Sequence, residues 1–329
     1  MEIANQSRIL ATLLREICAE QGISIQSFSG DWIFRLSSGA ASSYVFGYDF
    51  ALNAATAQMI GDDKAAAAEL LASAGIPAVE HRLFHSPQMA AYVPTAGNWS
   101  AMLGYFHQHG GDVVCKPNDG TGGRDVSRVR GAPELEAAVH RIFARNRSLC
   151  LSPYLAIDAE YRVYVFRGRA HVVYAKERPA AVGDGRSTLL ELELADPALS
   201  AALAARQSGS GEARAAELDL SRVPGAGETV LLNWRHNLGQ GGRPRVVAET
   251  DPAYPPLAAL AFSAVQALGI ELAAVDVAES AGTLRVLEVN CGIMMESFAR
   301  SSEENRARAK RFYHAIVAAA VGLPVPGEA

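Results

Sequence analysis

The stretch VVCKPNDGTGGRDVSRV, from Val113 to Val129, places one lysine ahead of three glycines. Crowded glycines are typical of phosphate sites, because backbone N–H groups approach oxygens closely where no Cβ intervenes. Neither of the two common phosphate motifs fits, however. A P-loop has its lysine after the glycines, whereas Lys116 precedes them. A dinucleotide fingerprint needs a third glycine at the position where Asp125 stands.

The flanks of this stretch predict two strands joined by a glycine-rich turn. Val113-Val114-Cys115 enters the turn, and Val126 and Val129 leave it. A glycine-tipped hairpin with a lysine on its incoming strand differs from both nucleotide motifs, so other segments must identify it.

Composition and charge limit the class of protein. A chain of 329 residues with 49% hydrophobic and 20% charged residues is ordinary for a soluble globular protein with one large domain or two to three lobes. A net charge of −5 predicts no nucleic-acid partner. The cysteines show no metal-like spacing, which is typical of a reducing cytosol; they are Cys18, Cys115, Cys150 and Cys291.

The two ends of the chain predict neither a signal peptide nor a membrane partner. The N-terminal segment is an amphipathic helix pattern interrupted by Arg8 and Arg15. The longest apolar run, Ala315 to Leu323, is too short to cross a bilayer. We therefore expect a cytoplasmic protein.

Helices interleaved with strand hairpins predict an α+β fold. One helix is expected after Asp62 as N-cap, and a linker at Gln207 to Gly211. The other predicted helices span Asn98 to His109, Glu134 to Asn146, Pro256 to Leu268 and the segment after the Ser301–Glu304 capping box; the predicted strands include a hairpin around Ile33 to Leu36, Tyr161 to Phe166 with Ala170 to Ala175, and Ala273 to Val277 with Leu284 to Val289.

Three oxygen-bearing side chains fall on the last predicted strand pair. Alternation puts Glu288 and Asn290 on one face, and the preceding strand can present Asp276 beside them. Carboxylate and amide oxygens suit magnesium. Polar residues at strand ends explain the same pattern about equally well.

Two further segments carry candidate phosphate-binding cations. Arg235 and Asn237 lead into a glycine-rich loop, and an arginine there can clamp phosphate or carboxylate, although a solvated loop is the commoner use. His236 is interpreted as a solvent-facing or packed histidine. Lys176 and Arg178 end a strand before a tight turn, where a solvated charged surface is the alternative.

Taken in order, these segments resemble the ATP-grasp superfamily. The order is Asp63-Lys64 opening a helix, Lys116-Pro117 before a glycine hairpin, a hinge strand, an acidic residue, Arg-x-Asn before a glycine loop, then Asp and Glu-x-Asn. The Ala175–Ala180 and Asn237–Gly242 segments look like those of cyanophycin synthetases, and Trp234–Asn237 like that of ribosomal-protein glutamate ligases.

The resemblance implies an ATP-grasp fold with a pre-grasp lobe over residues 1–60, a small lobe over 61–155 and a large lobe over 156–329. It also implies ATP and Mg²⁺ (or Mn²⁺) as cofactors. The implied nucleotide-binding residues are Lys64, Lys116, Gly120, Thr121, Gly122, Gly123, Tyr154, Leu155, Glu160 and Lys176. The implied metal ligands are Asp276, Glu288 and Asn290, and the implied catalytic residues are Arg235, Arg178 and Asn237.

The activity implied by the resemblance is an ADP-forming carboxylate–amine ligase acting on amino acids or a small peptide through an acyl-phosphate. A small-molecule kinase, a nucleotide-binding regulator without turnover and a thiol ligase stay open as alternatives, as does a homodimer. Arg300 is either an acceptor-site arginine or an ordinary helix-surface residue. The hinge from Leu151 to Leu155 lacks an acidic side chain, and the segment from Cys291 to Glu296 would border the acceptor site.

Overall fold

The structure is a computed structural model that describes residues 8–120, 122–196, 199–200 and 218–326. Its helices are α1 (Ile9–Gln21), α2 (Ala55–Asp62), α3 (Lys64–Ser73), α4 (Asn98–Gln108), α5 (Ala132–Phe143), α6 (Leu189–Ala195), α7 (Tyr254–Ala267), α8 (Glu296–Arg300) and α9 (Glu303–Ala320), with 3₁₀ turns at Pro87–Met89 and Leu238–Gln240. Its strands are β1 (Ser24–Phe28), β2 (Ile33–Ser38), β3 (Ala41–Phe46), β4 (Asp49–Phe50), β5 (Arg82–His85), β6 (Val113–Pro117), β7 (Ser127–Val129), β8 (Ser148–Pro153), β9 (Ala159–Phe166), β10 (Arg169–Glu177), β11 (Ala180–Val182), β12 (Thr229–Leu231), β13 (Arg243–Val246), β14 (Leu272–Ser280) and β15 (Thr283–Asn290).

The N-terminal segment forms a four-stranded antiparallel meander in the order β1-β2-β3-β4. The hairpin predicted around Ile33 to Leu36 is strand β2 and its partner β3, which pair from Ile33–Phe46 to Ser38–Ala41. The inward side chains of β2, Phe34 and Leu36, are fully buried and pack with α1 and α9. This meander shares its hydrophobic core with the largest sheet of the protein, through residues such as Tyr164 and Phe166.

The largest sheet is antiparallel, in the order β13-β10-β9-β14-β15. Alternate residues of β9 serve two different cores because both faces of this sheet are covered. Tyr164 and Phe166 pack toward α1 and α9, whereas Val163 and Val165 pack toward α7. The predicted hairpins β9–β10 and β14–β15 are both confirmed.

A smaller antiparallel sheet, in the order β5-β8-β6-β7, contains the opening stretch of sequence. The predicted hairpin is confirmed, since β6 pairs with β7 from Val113–Val129 to Cys115–Ser127. One face of the sheet packs on α4 and α5 through buried residues such as Leu151 and Ile142. The small sheet meets the large sheet through Lys64 of α3, whose ammonium donates to the oxygen of Gly120 just past β6 and lies 3.4 Å from the carboxylate of Glu288 on β15. The space between the two sheets is called the cleft.

Both chain connections to the small sheet are attached to the β14–β15 hairpin. On the incoming side, the N–H of Val79 donates to the oxygen of Val286 at 2.8 Å. On the outgoing side, the N–H of Asp158 donates to the oxygen of Glu279 at 2.8 Å, and the Asp158 carboxylate accepts from the N–H of Ala281 at 2.8 Å. The small sheet is therefore tied to one hairpin by both of its connections.

One helix boundary differs from the prediction. Asp63, and not Asp62, is the N-cap of α3, and its carboxylate accepts from the N–H of Ala66 at 2.8 Å. Asp62 is unavailable because it is the last residue of α2, a helix that the sequence reading missed. The predicted lobe boundaries stay a prediction, and the buried Leu71 of α3 belongs to the core of the large sheet.

Some sequence predictions concern residues beyond the described ranges. The linker at Gln207 to Gly211 and Thr121 of the glycine turn both lie outside them. Within the described ranges, no helix is both long and apolar enough to cross a bilayer. The cytoplasmic location and the homodimer stay predictions.

Candidate active site in the cleft between the two sheets

Lys64, the first residue of α3, links the glycine turn to the large sheet. Its ammonium donates to the oxygens of Gly120 at 2.6 Å and Asn118 at 3.4 Å, and lies 3.4 Å from the carboxylate of Glu288. The side chain of Asn118 in turn accepts from the N–H of Ala65 at 3.1 Å. The base of the predicted glycine-rich turn is thus fastened to the start of α3.

Lys116 is a buried cation without an anionic partner in the described part of the chain. It lies on β6 opposite Cys150 of β8, and only 7% of it is exposed. Within the described ranges its ammonium group makes no hydrogen bond and no ion pair. Burial of a charge is costly unless an opposite charge compensates it, so this ammonium is suited to an anionic ligand in the cleft.

Two cations of the large sheet, Lys176 and Arg162, are by contrast paired with carboxylates. Lys176 lies 2.6 Å from the carboxylate of Glu160 and 2.8 Å from that of Asp276. Arg162 binds Asp276 through two parallel hydrogen bonds of 2.7 Å. Although burial alone would raise it, the pKa of Asp276 is lowered to about 2 by these two cations. The predicted nucleotide residues Glu160 and Lys176 are therefore brought together here.

Glu288 and Asn290 fit a magnesium ion better than Asp276 does. Glu288 lies directly across from Asp276 in the β14–β15 register, and Asn290 is two residues further on the same face. The buried amide nitrogen of Asn290 has no hydrogen-bond partner in the described part of the chain, so this carboxamide is free to reorient its oxygen toward a cation. Both oxygens of Asp276 already accept from Arg162 and Lys176.

The glycine turn contacts the second glycine-rich loop. A Cβ added at Gly123 would lie 3.1 Å from the side-chain amide nitrogen of Asn237. Gly123 also has a φ of +72°, a conformation that favours glycine. Arg235 donates to the oxygen of Val126 on the outgoing side of the turn and to Gln240 at 3.4 Å. Burial, aided by the nearby guanidinium of Arg141, lowers the pKa of Arg235 to about 10.

The remaining predicted catalytic residues lie on the same loop or beside it. Asn237 caps the 3₁₀ turn, with its side-chain oxygen accepting from the N–H of Gly239 at 2.8 Å. Arg178 is half-buried just past β10, and its charge lowers the pKa of His236, for which burial is the larger cause. Arg300 pairs with Glu296 at 3.3 Å on its own helix, α8, and 40% of its side chain is exposed.

The predicted adenine hinge is only partly available to a ligand. The N–H of Tyr154 donates to the oxygen of Asp112 at 3.1 Å, so that backbone group is already used. The Tyr154 ring lies beneath the guanidinium of Arg128, 3.3 Å from its centre, and contacts Trp234 edge-on at 6.1 Å. Leu155 is half-buried beside it.

Two residues of the cleft, Arg162 and His81, escaped the sequence analysis, and the environment of a third, His236, was left open. Arg162 could have been found, because it follows Glu160 by two residues in an alternating strand. His81 and His236 carried no such signal. Each is at least 93% buried, each bonds a backbone carbonyl through Nδ1 at 2.8 Å, and the Nε2 of each has no partner in the described ranges. His236 is therefore packed, as one of the two interpretations held.

Comparison with known proteins gives relatives in sequence and in structure. No protein-family model matches the sequence. Cyanophycin synthetases of Trichormus variabilis and of a Nostoc species are each 29% identical over 177 residues, which is 50% of this chain and 19% of the relative. The chain spans about a fifth of the length of these curated relatives.

Two solved structures share the arrangement of sheets and helices. A bifunctional glutathione synthetase from Pasteurella multocida superposes with a TM-score of 0.52 at 18% identity, over 92% of this chain and 43% of that one. A D-alanine–D-alanine ligase from Bacillus anthracis superposes with a TM-score of 0.50 at 15% identity, over 81% and 67%. At such identities the likeness concerns the fold.

Proposed function

We propose that this chain, which has the ATP-grasp fold, is an ATP-dependent ligase that joins a carboxylate to an amine and releases ADP and phosphate. The proposal rests on that fold and on the sequence likeness to cyanophycin synthetases. Amino acids or a small peptide are the substrate class that these relatives suggest.

The observation that carries the proposal is the uncompensated charge of Lys116. A buried ammonium without an anion suits a ligand that brings several negative charges into the cleft. Lys64, whose nearest carboxylate is 3.4 Å away, adds a second cation on the same side. The phosphates of ATP are a polyanion of the required kind.

The first step joins two anions, a carboxylate and the γ-phosphate of ATP. An oxygen of the carboxylate forms a bond to the γ-phosphorus, and the bond from that phosphorus to the bridging oxygen breaks, so ADP leaves and an acyl-phosphate is formed. Positive charge is what such a step needs. Lys64 and Lys116 would hold the phosphates of the nucleotide, while Arg235 and Arg178 would hold the phosphoryl group that moves.

Glu288 and Asn290 would hold Mg²⁺, which when bound supplies further positive charge to the phosphate oxygens. Asp276 would join them only after releasing Arg162 or Lys176, since both of its oxygens are occupied. The structure therefore favours Arg162 and Lys176 as the groups that fix Asp276 in place.

In the second step, the amine nitrogen bonds to the acyl carbon, the bond from that carbon to the phosphate oxygen breaks, and the amine loses a proton as phosphate leaves. An acyl-phosphate also reacts with water, so the cleft has to close first. The contacts of Gly123 and Val126 with the second glycine-rich loop support such a closure over the phosphates.

The deciding experiment supplies the purified chain with magnesium-ATP and pooled amino acids or dipeptides, with ADP, phosphate and product mass recorded together. Acid-dependent ADP release and a mass equal to two substrates minus water are expected. A mass gain of one phosphoryl group would establish a kinase instead. ATP binding without any turnover across all pools would favour the regulator.

Arg235→Ala separates nucleotide binding from chemistry. We expect this variant to bind ATP almost normally and to lose product formation by about 10²-fold, because a cation near the transferring phosphoryl group is removed. A variant that fails in ATP binding alone would assign Arg235 to the nucleotide site.

A further inference from the structure

His81 is a neutral hydrogen-bond acceptor in the cleft. Its Nδ1 lies 2.8 Å from the oxygen of Val79. A carbonyl can only accept, so the hydrogen of the neutral ring sits on Nδ1. Burial, together with the ammonium groups of Lys116 and Lys64, holds the pKa of His81 well below its usual value. The Nε2 atom therefore carries a lone pair, and in the described ranges nothing donates to it.

The strand register places His81 beside the hinge end of the cleft. Arg82 pairs with Leu151 in the antiparallel β5–β8 ladder, so His81 stands level with Ser152. The guanidinium of Arg82 lies over the ring of Tyr105, on the side of the sheet that packs against α4. Because neighbouring residues of an extended chain point to opposite faces, His81 faces the cleft.

This position is separated from the phosphate-binding cations along the strands. Lys116 lies opposite Cys150, two residues nearer the glycine turn than Ser152. With phosphates at Lys116 and Lys64, the base of a nucleotide would extend toward the hinge and His81. No carboxylate or carboxamide occurs in the hinge strand from Ser148 to Leu155, so that strand offers no such side-chain acceptor for the base.

ATP has few groups that can donate to a neutral acceptor. Its phosphates only accept, which leaves the 6-amino group of adenine and the two ribose hydroxyls. Of these, the amino group is the donor on the base. Guanine carries an oxygen at the same ring position and would set a lone pair against that of Nε2. A buried acceptor left without a donor is unfavourable, so the Nε2 of His81 favours a base with an amino group at this position over one with an oxygen.

We propose that His81 is a specificity-determining residue which accepts a hydrogen bond from the 6-amino group of adenine and so selects ATP over other purine nucleotides. The inference rests on the proposed function, since it assumes a nucleotide in this cleft.

The test measures equilibrium binding of three magnesium nucleotides to the purified chain: ATP, purine riboside triphosphate, which lacks only the 6-amino group, and GTP. The wild-type chain should bind ATP about tenfold more tightly than purine riboside triphosphate, the size of one hydrogen bond, and GTP more weakly still. His81→Leu should weaken ATP binding about tenfold and leave purine riboside triphosphate unchanged.

Two further variants complete the test. His81→Gln restores a side-chain acceptor and should recover part of the preference for ATP. His109→Leu is the matched control, because the Nε2 of His109 also has no partner in the described ranges, yet its ring packs at an angle against Tyr105, with the ring centres 4.3 Å apart, on the other side of the sheet. It should change none of the three affinities.

The outcomes distinguish the inference from the proposed function. Equal wild-type affinities for ATP and purine riboside triphosphate would overturn the role of His81 and leave the ligase proposal standing, even if no His81 variant folds. A preference for ATP that survives in a folded His81→Leu would overturn it as well. Absence of any nucleotide binding would overturn both.

Discussion

Cations on the large sheet and on the small sheet border the cleft, and they differ in whether a carboxylate pairs with them. On the large sheet, Lys176 and Arg162 are bonded to Glu160 and Asp276 at 2.6 to 2.8 Å. On the small sheet, the equally buried Lys116 has no anion in the described ranges, and its neighbour His81 is neutral.

The paired cations stabilise the fold, whereas the unpaired cation is suited to bind a ligand. A paired buried charge is costly to disturb, because removing one partner strands the other in a poorly solvated site. An unpaired buried charge is costly as it stands, and a ligand of opposite charge relieves it. Equal burial thus predicts opposite responses to mutation: loss of stability on the large sheet, and loss of binding on the small one.

Glu288 is where the two groups meet, and its removal should have the largest effect. It contacts Lys64 at 3.4 Å and faces Asp276 across the strand pair. Glu288→Gln should lower magnesium-dependent turnover by about 10³-fold while the fold stays intact, because a charge that can hold the metal is lost. Turnover assays measure the loss of activity, and circular dichroism checks that the fold is intact. Near-normal activity would refute the assignment of Glu288 as a metal ligand.

Lys176→Met should show the paired behaviour. It leaves the carboxylates of Glu160 and Asp276 with only Arg162 nearby, so the free energy of unfolding should fall by about 3 kcal/mol. Urea titration of the ligand-free chain measures it. Lys310→Met is the matched control: its ammonium pairs with Glu16 and Glu20 at the surface, and the expected loss is under about 1 kcal/mol. Similar losses for both variants would refute the comparison.

Lys116→Met should show the unpaired behaviour. Affinity for magnesium-ATP should fall about 30-fold, close to 2 kcal/mol for a charged hydrogen bond, while the ligand-free chain becomes no less stable. Calorimetric titration and thermal unfolding of the same preparation give both numbers. A clear drop in stability with unchanged ATP affinity would place Lys116 with the structural cations.

The smallest expected effect is a pH dependence of stability from Asp276. Its pKa is lowered to about 2 from an ordinary value of 3.8, so its contribution is fully present above about pH 5 and is lost progressively as the pH falls through 2. About 1 kcal/mol should disappear between pH 5 and pH 3. Asp276→Asn should remove that portion of the dependence, and an unchanged profile in this variant would contradict the lowered pKa.

The fold was largely predictable from local patterns. The hairpin around Lys116, the β9–β10 and β14–β15 hairpins and the start of the last helix all rest on short-range signals: alternation, glycine turns and caps. The predicted capping box over Ser301–Glu304 was wrong in detail, because Ser302 is the N-cap and its hydroxyl accepts from the N–H of Asn305. The error at Asp62 arose because two helices abut there: Asp62 is the last residue of the first helix, and the next residue, Asp63, is the N-cap of the second. The resemblance then supplied the ATP-grasp fold, which the structure confirms.

The state of the site was less predictable because it depends on distant pairs. Asp276 looked like a free metal ligand, yet Arg162 occupies it from a strand more than a hundred residues earlier in the chain. His81 lies in EHRLFH, which shows no period that would set its orientation. The ligand roles of the predicted site residues stay predictions that the variants above test.

The attachment of the small sheet has a mechanical consequence. Both of its connections are hydrogen-bonded to the β14–β15 hairpin, at Val286 and around the exposed turn from Glu279 to Ala281. We therefore expect a movement of the small sheet to displace this hairpin, whose opposite end carries Glu288 and Asn290. The turn is therefore coupled to the cleft at a distance. A fluorophore attached at the exposed Thr283 beside the turn would report opening of the cleft, and a binder attached to the turn would hinder that opening.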